Sequence, residues 1–246
     1  TAVANLEDIV KACDGLMVAR GDLGIEIPYE TLPIVQRRAV RTCQRLGKPV
    51  IVATHMLESM IHNPIPTRAE ITDISNAVFE QADCVMLSGE TTVGKYPVEC
   101  VEVMNKIIHS VEAQDERKSN DTIRLESPKA IMLKSAMYLS DELPNSSILV
   151  FTRRGRLARI LSALRPRKSP IFAFTDVEDV FQNLLMYWGV EPFHMKFSED
   201  PEDTVQEAFS RLKSRGFVEN NSHIVVVSNV LAGDEVIETI QYRKIT

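Results

Sequence analysis

No apolar stretch in this chain of 246 residues approaches the roughly 20 residues that a bilayer-spanning helix needs. Its first residues show neither the basic nor the apolar region of a secretory signal. Basic residues are not in excess: 28 Lys and Arg stand against 34 Asp and Glu, a net charge of −6. No whole-chain attraction to nucleic acid or to an anionic membrane follows from that balance. The four cysteines, Cys13, Cys43, Cys84 and Cys100, form no C-x-x-C pair, which argues against zinc or a redox dithiol. A disulfide framework is unusual in so large a chain, so thiols in a reducing cytoplasm are expected. Nucleophile elbows, Walker loops, H-E-x-x-H and G-x-G-x-x-G are also missing, which removes the common signatures of hydrolases, P-loop enzymes, zinc proteases and dinucleotide binders. Aromatics reach only 6%, but 44% hydrophobic and 25% charged residues are ordinary globular proportions. They exclude collagen, mucin-like stalks and wholesale disorder.

What is present is a repeat. GLMVARGD at 15–22, PVIVATHM at 49–56 and CVMLSGET at 84–91 share one plan, a short apolar run ending in small or polar residues. Such runs read as parallel strands covered on both faces. Between the first two, Leu32, Val35, Ala39, Val40, Cys43 and Leu46 recur at helical spacing, with Pro33 in the first turn and Gly47 as the stop. A second helix carries Ile71, Ile74, Ala77 and Val78; a third begins at Pro97 with Val101, Met104, Ile108 and Val111. Strand, loop and helix in this order make βα units, fitting either a doubly wound sheet or part of a (β/α)8 barrel. In both architectures, sites form at the C-terminal ends of strands. That gathers Arg20-Gly21-Asp22, Thr54-His55 and Ser88-Gly89-Glu90 around one mouth.

The segment 113–128 loses the apolar rhythm and is rich in charge, Ser and Asn. It is the expected boundary between residues 1–118 and a smaller α/β domain at 119–246. The second half opens with a helix from Ser127-Pro128, and strands are expected at Ile148–Thr152, Ile171–Thr175 and Ile224–Ser228. Helices are expected near 155–164, near 177–187 and from Pro201 to Lys213, with Ile237–Ile245 as a final edge strand.

The mouth residues carry two readings each. Asp22, following Gly21, is suited to Mg2+, which takes protein carboxylates together with substrate oxygens; it equally suits a turn or an N-cap. Thr54 can offer its hydroxyl to a substrate carboxylate or simply bond to local backbone. His55, with no second His ligand nearby, reads as an ordinary loop histidine, and Ser88-Gly89-Glu90-Thr91 reads as a polar strand end.

Taken together, MVARGDLGIEIP at 17–28, GKPVIVATHMLESM at 47–60, NPIPTRAEITDISNAVFEQAD at 63–83 and CVMLSGETTVGKYP at 84–97 resemble pyruvate kinase almost continuously. The resemblance implies that the three strands are the last three of a (β/α)8 TIM barrel and that the second half is a regulatory and oligomerisation domain. It implies phosphoryl transfer from phosphoenolpyruvate to ADP, giving pyruvate and ATP, with Mg2+ or Mn2+ and K+. Asp22 then matches the metal-binding aspartate, Gly21 and Asp22 the backbone contacts to the substrate carboxylate, and Thr54 the threonine touching the same group. Ser88 matches a serine near the route of enolate protonation, so Thr54 and Ser88 are the catalytic candidates. The catalytic lysine, the second metal carboxylate and the K+ ligands are expected upstream of Thr1, and the isolated chain is expected to be inactive. A homotetramer in the cytoplasm is the implied assembly.

From 152 to 168 there are seven basic residues and no acidic one. Thr152, Arg154, Gly155 and Arg156, at a strand end and helix start, suit a phosphorylated ligand. The family binds effectors at the matching loop, but Arg154 and Leu157 stand where hydroxyl residues are usual, and the closing GDEVIETIQYRKIT lacks the loop that covers fructose bisphosphate. A different phosphorylated effector is therefore expected; a solvated basic surface or an interface patch is the plainer reading, and nucleic-acid binding is not expected. The competing functions are a Mg2+-dependent lyase of the same barrel handling phosphoenolpyruvate or pyruvate, and a non-catalytic effector-binding or assembly module.

Overall fold

The structure, a computed structural model, describes residues 2–114, 127–232 and 235–245. The chain divides into two compact units, Thr1–Arg117 and Lys118–Thr246. Most of the expected boundary segment, residues 115–126, lies outside the described residues, as do Thr1 and Gly233-Asp234 of the closing segment.

In the first unit, helix α1 (Leu6–Ala12) leads to strand β1 (Leu16–Ala19), which runs directly into helix α2 (Arg20–Glu26). Helix α3 (Leu32–Leu46) has Pro33 in its first turn and Gly47 at its left-handed end. Strand β2 (Val50–Ala53) is followed by a 3-10 turn (Glu58–Ile61) and helix α4 (Arg68–Phe79); strand β3 (Cys84–Met86) is followed by the short helix α5 (Gly89–Thr92) and helix α6 (Pro97–Gln114). The three strands form one parallel sheet in the order β1-β2-β3, with Val18 opposite Val52 and Val52 opposite Val85. Fully buried Val10, Val40, Cys43, Val50, Val52, Met56, Met60 and Ile74 tie the helices to this sheet, each apolar side chain contributing about 1.5–3 kcal/mol relative to exposure.

α4 shows how local chemistry aims a loop. Thr67 caps it by accepting from the Glu70 amide, and the Glu70 carboxylate accepts from the Thr67 amide at 2.7 Å. The same carboxylate reaches the amide and hydroxyl of Ser59, at 2.7 and 2.6 Å. Burial pushes the Glu70 carboxyl up, but these donors outweigh it and hold it below its ordinary value. One glutamate thus fixes both the helix start and the loop after β2.

The second unit contains helix α7 (Pro128–Glu142), strand β4 (Ser146–Phe151), helix α8 (Arg156–Leu164), strand β5 (Ile171–Thr175), helix α9 (Glu178–Leu184), strand β6 (Val190–His194), helix α10 (Pro201–Ser214) and strands β7 (His223–Ala232) and β8 (Glu235–Lys244). The sheet order is β6-β5-β4-β7-β8, parallel except for β8 against β7. Its two faces bury separate cores, one around Leu133, Ile148, Val150 and Leu161, the other around Leu149, Phe172, Phe174 and Val226.

One strand departs from the sequence expectation. β6 was hidden because Glu191 and Pro192 interrupt an apolar pattern, and within it only Pro192 and Phe193 are buried. At a sheet edge that is permissible, since proline need not donate there. β7 also runs past the expected Ser228, because β8 pairs with it along its length.

Candidate functional site

The C-terminal ends of β1 and β2 are joined by side chains. Arg20, buried at the start of α2, donates from Nε to the Ala53 carbonyl at 3.1 Å and from Nη2 to the Thr54 carbonyl at 2.5 Å. Its Nη1 pairs with Asp73 on α4 at 2.5 Å. A buried guanidinium requires such saturation, because leaving a donor unpaired costs more than any one bond returns. The Thr54 hydroxyl accepts from the Gly21 amide at 2.8 Å and donates to the Ala53 carbonyl at 2.7 Å. Thr54 and His55 both adopt left-handed backbone, at φ 70° and 54°, a conformation unfavourable to β-branched threonine and held here by these contacts.

Gly21 is required by close approach. A Cβ built on it would lie 3.0 Å from His55 Nε2 and 3.7 Å from Thr54 Oγ1. His55 in turn pairs through Nδ1 with Glu58 at 2.5 Å. Asp22 stands exposed in the first turn of α2. Ser88 follows β3 at the N-cap position of α5, without a side-chain capping bond; its amide donates to the Glu90 carboxylate, whose other oxygen accepts from the Leu57 amide in the loop after β2.

The structure therefore joins Gly21 and Thr54 directly, sets Asp22 beside them on the same turn, and connects Ser88 to the Thr54 loop through Glu90. The Gly21 amide is already engaged by Thr54, so an incoming carboxylate meets it only by sharing or displacing that hydroxyl. Among the described residues no group of three or more His, Cys, Asp or Glu is placed to hold a metal ion. Asp22 fits a divalent cation as one oxygen ligand among several, the arrangement Mg2+ commonly takes with substrate oxygens. Arg20 and Glu90 were placed at the mouth by the sequence but given no role of their own, and Glu70 and Asp73 were not among the sequence candidates. The sequence signals were, for Arg20, a charged residue immediately after an apolar strand and, for Glu70, the T-x-x-E spacing of a capping box.

A second site lies within the other unit, at neighbouring β4 and β7, from which the chain continues towards opposite edges of the sheet, a common place for ligand binding in open α/β sheets. A cavity of about 840 Å3 is lined by Thr152, Arg154, Arg156, Phe197, Glu202 and Arg243, among others. Gly155, at φ 68°, turns the chain from β4 into α8. Most of the cations are committed. Arg153 pairs with Asp176 at 2.9 Å and lies over the Phe197 ring; Lys129 pairs with Glu238; Arg243 grips both oxygens of Glu202 at 2.6 and 2.7 Å. Hydrogen bonds from Arg243 and Gln206 hold the Glu202 carboxyl down at about 2. Arg154 and Arg156 are exposed and make no ion pair among the described residues. Leu157, where the resemblance leads one to look for a hydroxyl, is buried in the core beneath α8. The chemistry left open is that of an anion at a helix start flanked by two arginines.

Comparison with known proteins matches both units. A family model described as pyruvate kinase, barrel domain, matches residues 1–101, and one described as pyruvate kinase, alpha/beta domain, matches residues 130–240. Pyruvate kinase isozyme G, chloroplastic, of Nicotiana tabacum is 45% identical over 231 residues, covering 93% of this chain and 41% of that protein. Pyruvate kinase 2 of Synechocystis is 39% identical over 233 residues, covering 94% and 39%. A crystal structure of a pyruvate kinase from Cryptosporidium parvum superposes with a TM-score of 0.89 at 31% identity, over all of this chain and 50% of that one. The chain spans about two fifths of the length of those two curated relatives. Parallel βα units whose strand ends meet at Gly21 and Thr54, a second unit built on a five-stranded α/β sheet, and these matches along both units together place the chain in the pyruvate kinase family.

Proposed function

We propose that this chain carries part of the active site of an enzyme that transfers the phosphoryl group of phosphoenolpyruvate to ADP, yielding pyruvate and ATP in glycolysis. The observation that carries the reading is the junction of Gly21, Asp22 and Thr54 at adjacent parallel strand ends, with Ser88 linked to it. In this reading Thr54 and the Gly21–Asp22 amides orient the substrate carboxylate, and Asp22 is one ligand of Mg2+ or Mn2+. When bound, the divalent cation neutralises phosphate oxygens, which is most of what phosphoryl transfer asks of a protein beyond positioning. Ser88 lies on the path by which the enolate C3 gains its proton. The catalytic lysine, a second carboxylate and the K+ ligands belong, on this proposal, to parts of the enzyme beyond this chain, and the 246-residue chain alone is inactive.

The division of labour we propose assigns residues 1–118 to the catalytic barrel and 119–246 to regulation and assembly of a homotetramer. Arg154 and Arg156, uncommitted at the mouth of the cavity, support binding of a phosphorylated effector there, with Thr152 and Gly155 shaping the turn. Both family models name pyruvate kinase, which favours this reading over a related lyase or a non-catalytic module. The cysteines carry thiols, in keeping with a reducing compartment, and we propose the cytoplasm; fractionation of the source cells tests that location.

The deciding experiment is a pyruvate-detecting coupled assay of the full-length enzyme and its Asp22→Ala variant. The expected result is ADP-dependent pyruvate formation that Asp22→Ala lowers by at least about a hundredfold while the variant remains folded. Near-normal turnover with unchanged Mg2+ dependence removes Asp22 from the metal site.

A further inference from the structure

The cavity of the second unit is not uniform in charge. Arg154 and Arg156, outside any ion pair among the described residues, stand at the turn from β4 into α8. The stretch that opens α10 supplies carboxylates instead, from Glu199, Asp200 and Glu202. Two helix starts thus meet one cavity with opposite fillings. α8 has Gly155 at its cap, no side-chain capping bond and no acidic residue in its first turn. At α10 the Asp200 carboxylate accepts from the Glu202 amide at 2.7 Å, and Glu202 and Asp203 follow in the first turn. A helix start favours negative charge, and at α10 the protein's own acids already provide it.

Arg243, on β8, is not free to receive a second anion there. Its Nη1 and Nη2 grip Oε1 and Oε2 of Glu202 at 2.6 and 2.7 Å, while its Nε and Nη2 donate to Gln241 at 3.1 and 2.8 Å. A guanidinium forked on a carboxylate has no fork left for a phosphate. The Glu202 carboxyl is held down at about 2, first by the bonds from Arg243 and then by Gln206. It therefore stays ionised at neutral pH and does not release Arg243 by taking up a proton. Lys129, which also lines the cavity, is tied to Glu238.

We propose that Glu202 is a specificity-determining residue of this cavity: by occupying Arg243 it restricts the ligand to a phosphate monoester of a hydroxyl-bearing ring, a sugar or nucleoside monophosphate, and excludes bisphosphates. The phosphate takes the end held by Arg154 and Arg156. The ring hydroxyls donate to Glu199 and Asp200, since ionised carboxylates only accept. A second phosphate at the acidic end meets like charge and finds Arg243 already gripped. This rests on the effector reading of the cavity given above, and it names the effector chemistry that the cavity admits.

The test is calorimetric titration of the full-length enzyme with glucose 6-phosphate, ribose 5-phosphate, AMP and fructose 1,6-bisphosphate. It is repeated on Glu202→Gln and on Glu202→Gln/Arg243→Gln. The wild type is expected to bind a monophosphate at least about tenfold more tightly than the bisphosphate, and the preferred probe tells a sugar source from a nucleoside source. Glu202→Gln raises affinity for the bisphosphate by about tenfold or more, the scale of one charged hydrogen bond, and leaves that for the monophosphate within about threefold. Removing Arg243 as well abolishes the gain, because the two residues act as one pair. A wild type that takes the bisphosphate as tightly as any monophosphate, or a Glu202→Gln variant without the gain, overturns the proposal and leaves the effector reading standing. Binding of none of the probes to wild type or variants, or binding that Arg154→Ser leaves unchanged, removes the effector reading and this inference with it. Where Glu202→Gln fails to fold, Glu202→Ala takes its place and the same outcomes decide.

Discussion

The amide of Gly21 donates to the hydroxyl of Thr54 across 2.8 Å, and that hydroxyl in turn donates a hydrogen bond to the Ala53 carbonyl. Two strand ends far apart in sequence are thereby closed into one hydrogen-bonded turn. On the function proposed above, a substrate carboxylate meets an amide already oriented by the protein and competes with the Thr54 hydroxyl for it.

Thr54→Val deletes the acceptor and leaves the Gly21 amide unpaired at a half-buried position, whereas Thr54→Ser preserves the oxygen. The valine variant is expected to lose about 1–3 kcal/mol of stability and to bind phosphoenolpyruvate more weakly; the serine variant changes both much less. Urea unfolding and substrate titration of the full-length enzyme measure the two effects. Equal behaviour of the two variants contradicts the bond's importance.

Gly21→Ala places a methyl where His55 Nε2 now lies 3.0 Å away. His55 is half exposed and can swing aside, so stability should change by less than about 1 kcal/mol, while KM for phosphoenolpyruvate rises. Removing the obstruction with Gly21→Ala/His55→Ala should recover much of the lost affinity. A double variant no better than Gly21→Ala alone shows that the alanine acts through the backbone instead.

Arg154 and Arg156 are the cations of the second cavity left outside ion pairs among the described residues. Arg154→Ser is expected to weaken binding of sugar phosphates or AMP by about tenfold, the scale of one charged hydrogen bond, with the unliganded turnover unchanged. Calorimetric titration of the full-length enzyme reads this directly, and identical isotherms for the two proteins place any such ligand elsewhere.

Glu202 is held at about 2 against an ordinary value of 4.5, first by its hydrogen bonds from Arg243. A carboxyl lowered by folding stabilises the native state above its unfolded pKa, and that stabilisation disappears as pH falls from about 4.5 towards 2. The pair is half exposed on the Glu202 side, so screening limits its effect to less than about 1 kcal/mol. Arg243→Gln should return the Glu202 carboxyl towards 4.5 in an NMR titration and remove its share of the acid-dependent stability loss. A Glu202 titration unmoved by the substitution excludes the pairing.

The three βα units were legible because fully covered parallel strands are written as unbroken apolar runs, and Pro33, Gly47, Thr67 and Pro97 punctuate the helices between them. That Gly21, Asp22, Thr54 and Ser88 stand just past strand ends was legible because each follows one of these apolar runs, the place where such folds keep their chemistry. β6 was not, since an edge strand containing Pro192 carries too little apolar alternation to announce itself. Arg20 and Glu90 were placed at the mouth, but their contacts were not legible, for another reason. Their burial depends on partners thirty or more residues away, at Ala53, Asp73 and Leu57, and no local spacing encodes that.

The central strand of the second sheet has consequences for the order in which the unit assembles. β4 takes β5 on one side from nearby sequence, but its other neighbour, β7, arrives only after α8, β5, α9, β6 and α10 have been laid down, bringing Ser146 against His223. β7 and β8 pair antiparallel and adjacent in sequence, so they can meet early without closing a long loop. Joining that preformed ribbon to β4 then carries the main loop-closure entropy of the unit. Weakening the β4–β7 ladder should therefore slow folding more than it speeds unfolding, and until that ladder zips, the apolar residues on both faces of β4 remain open to wrong partners.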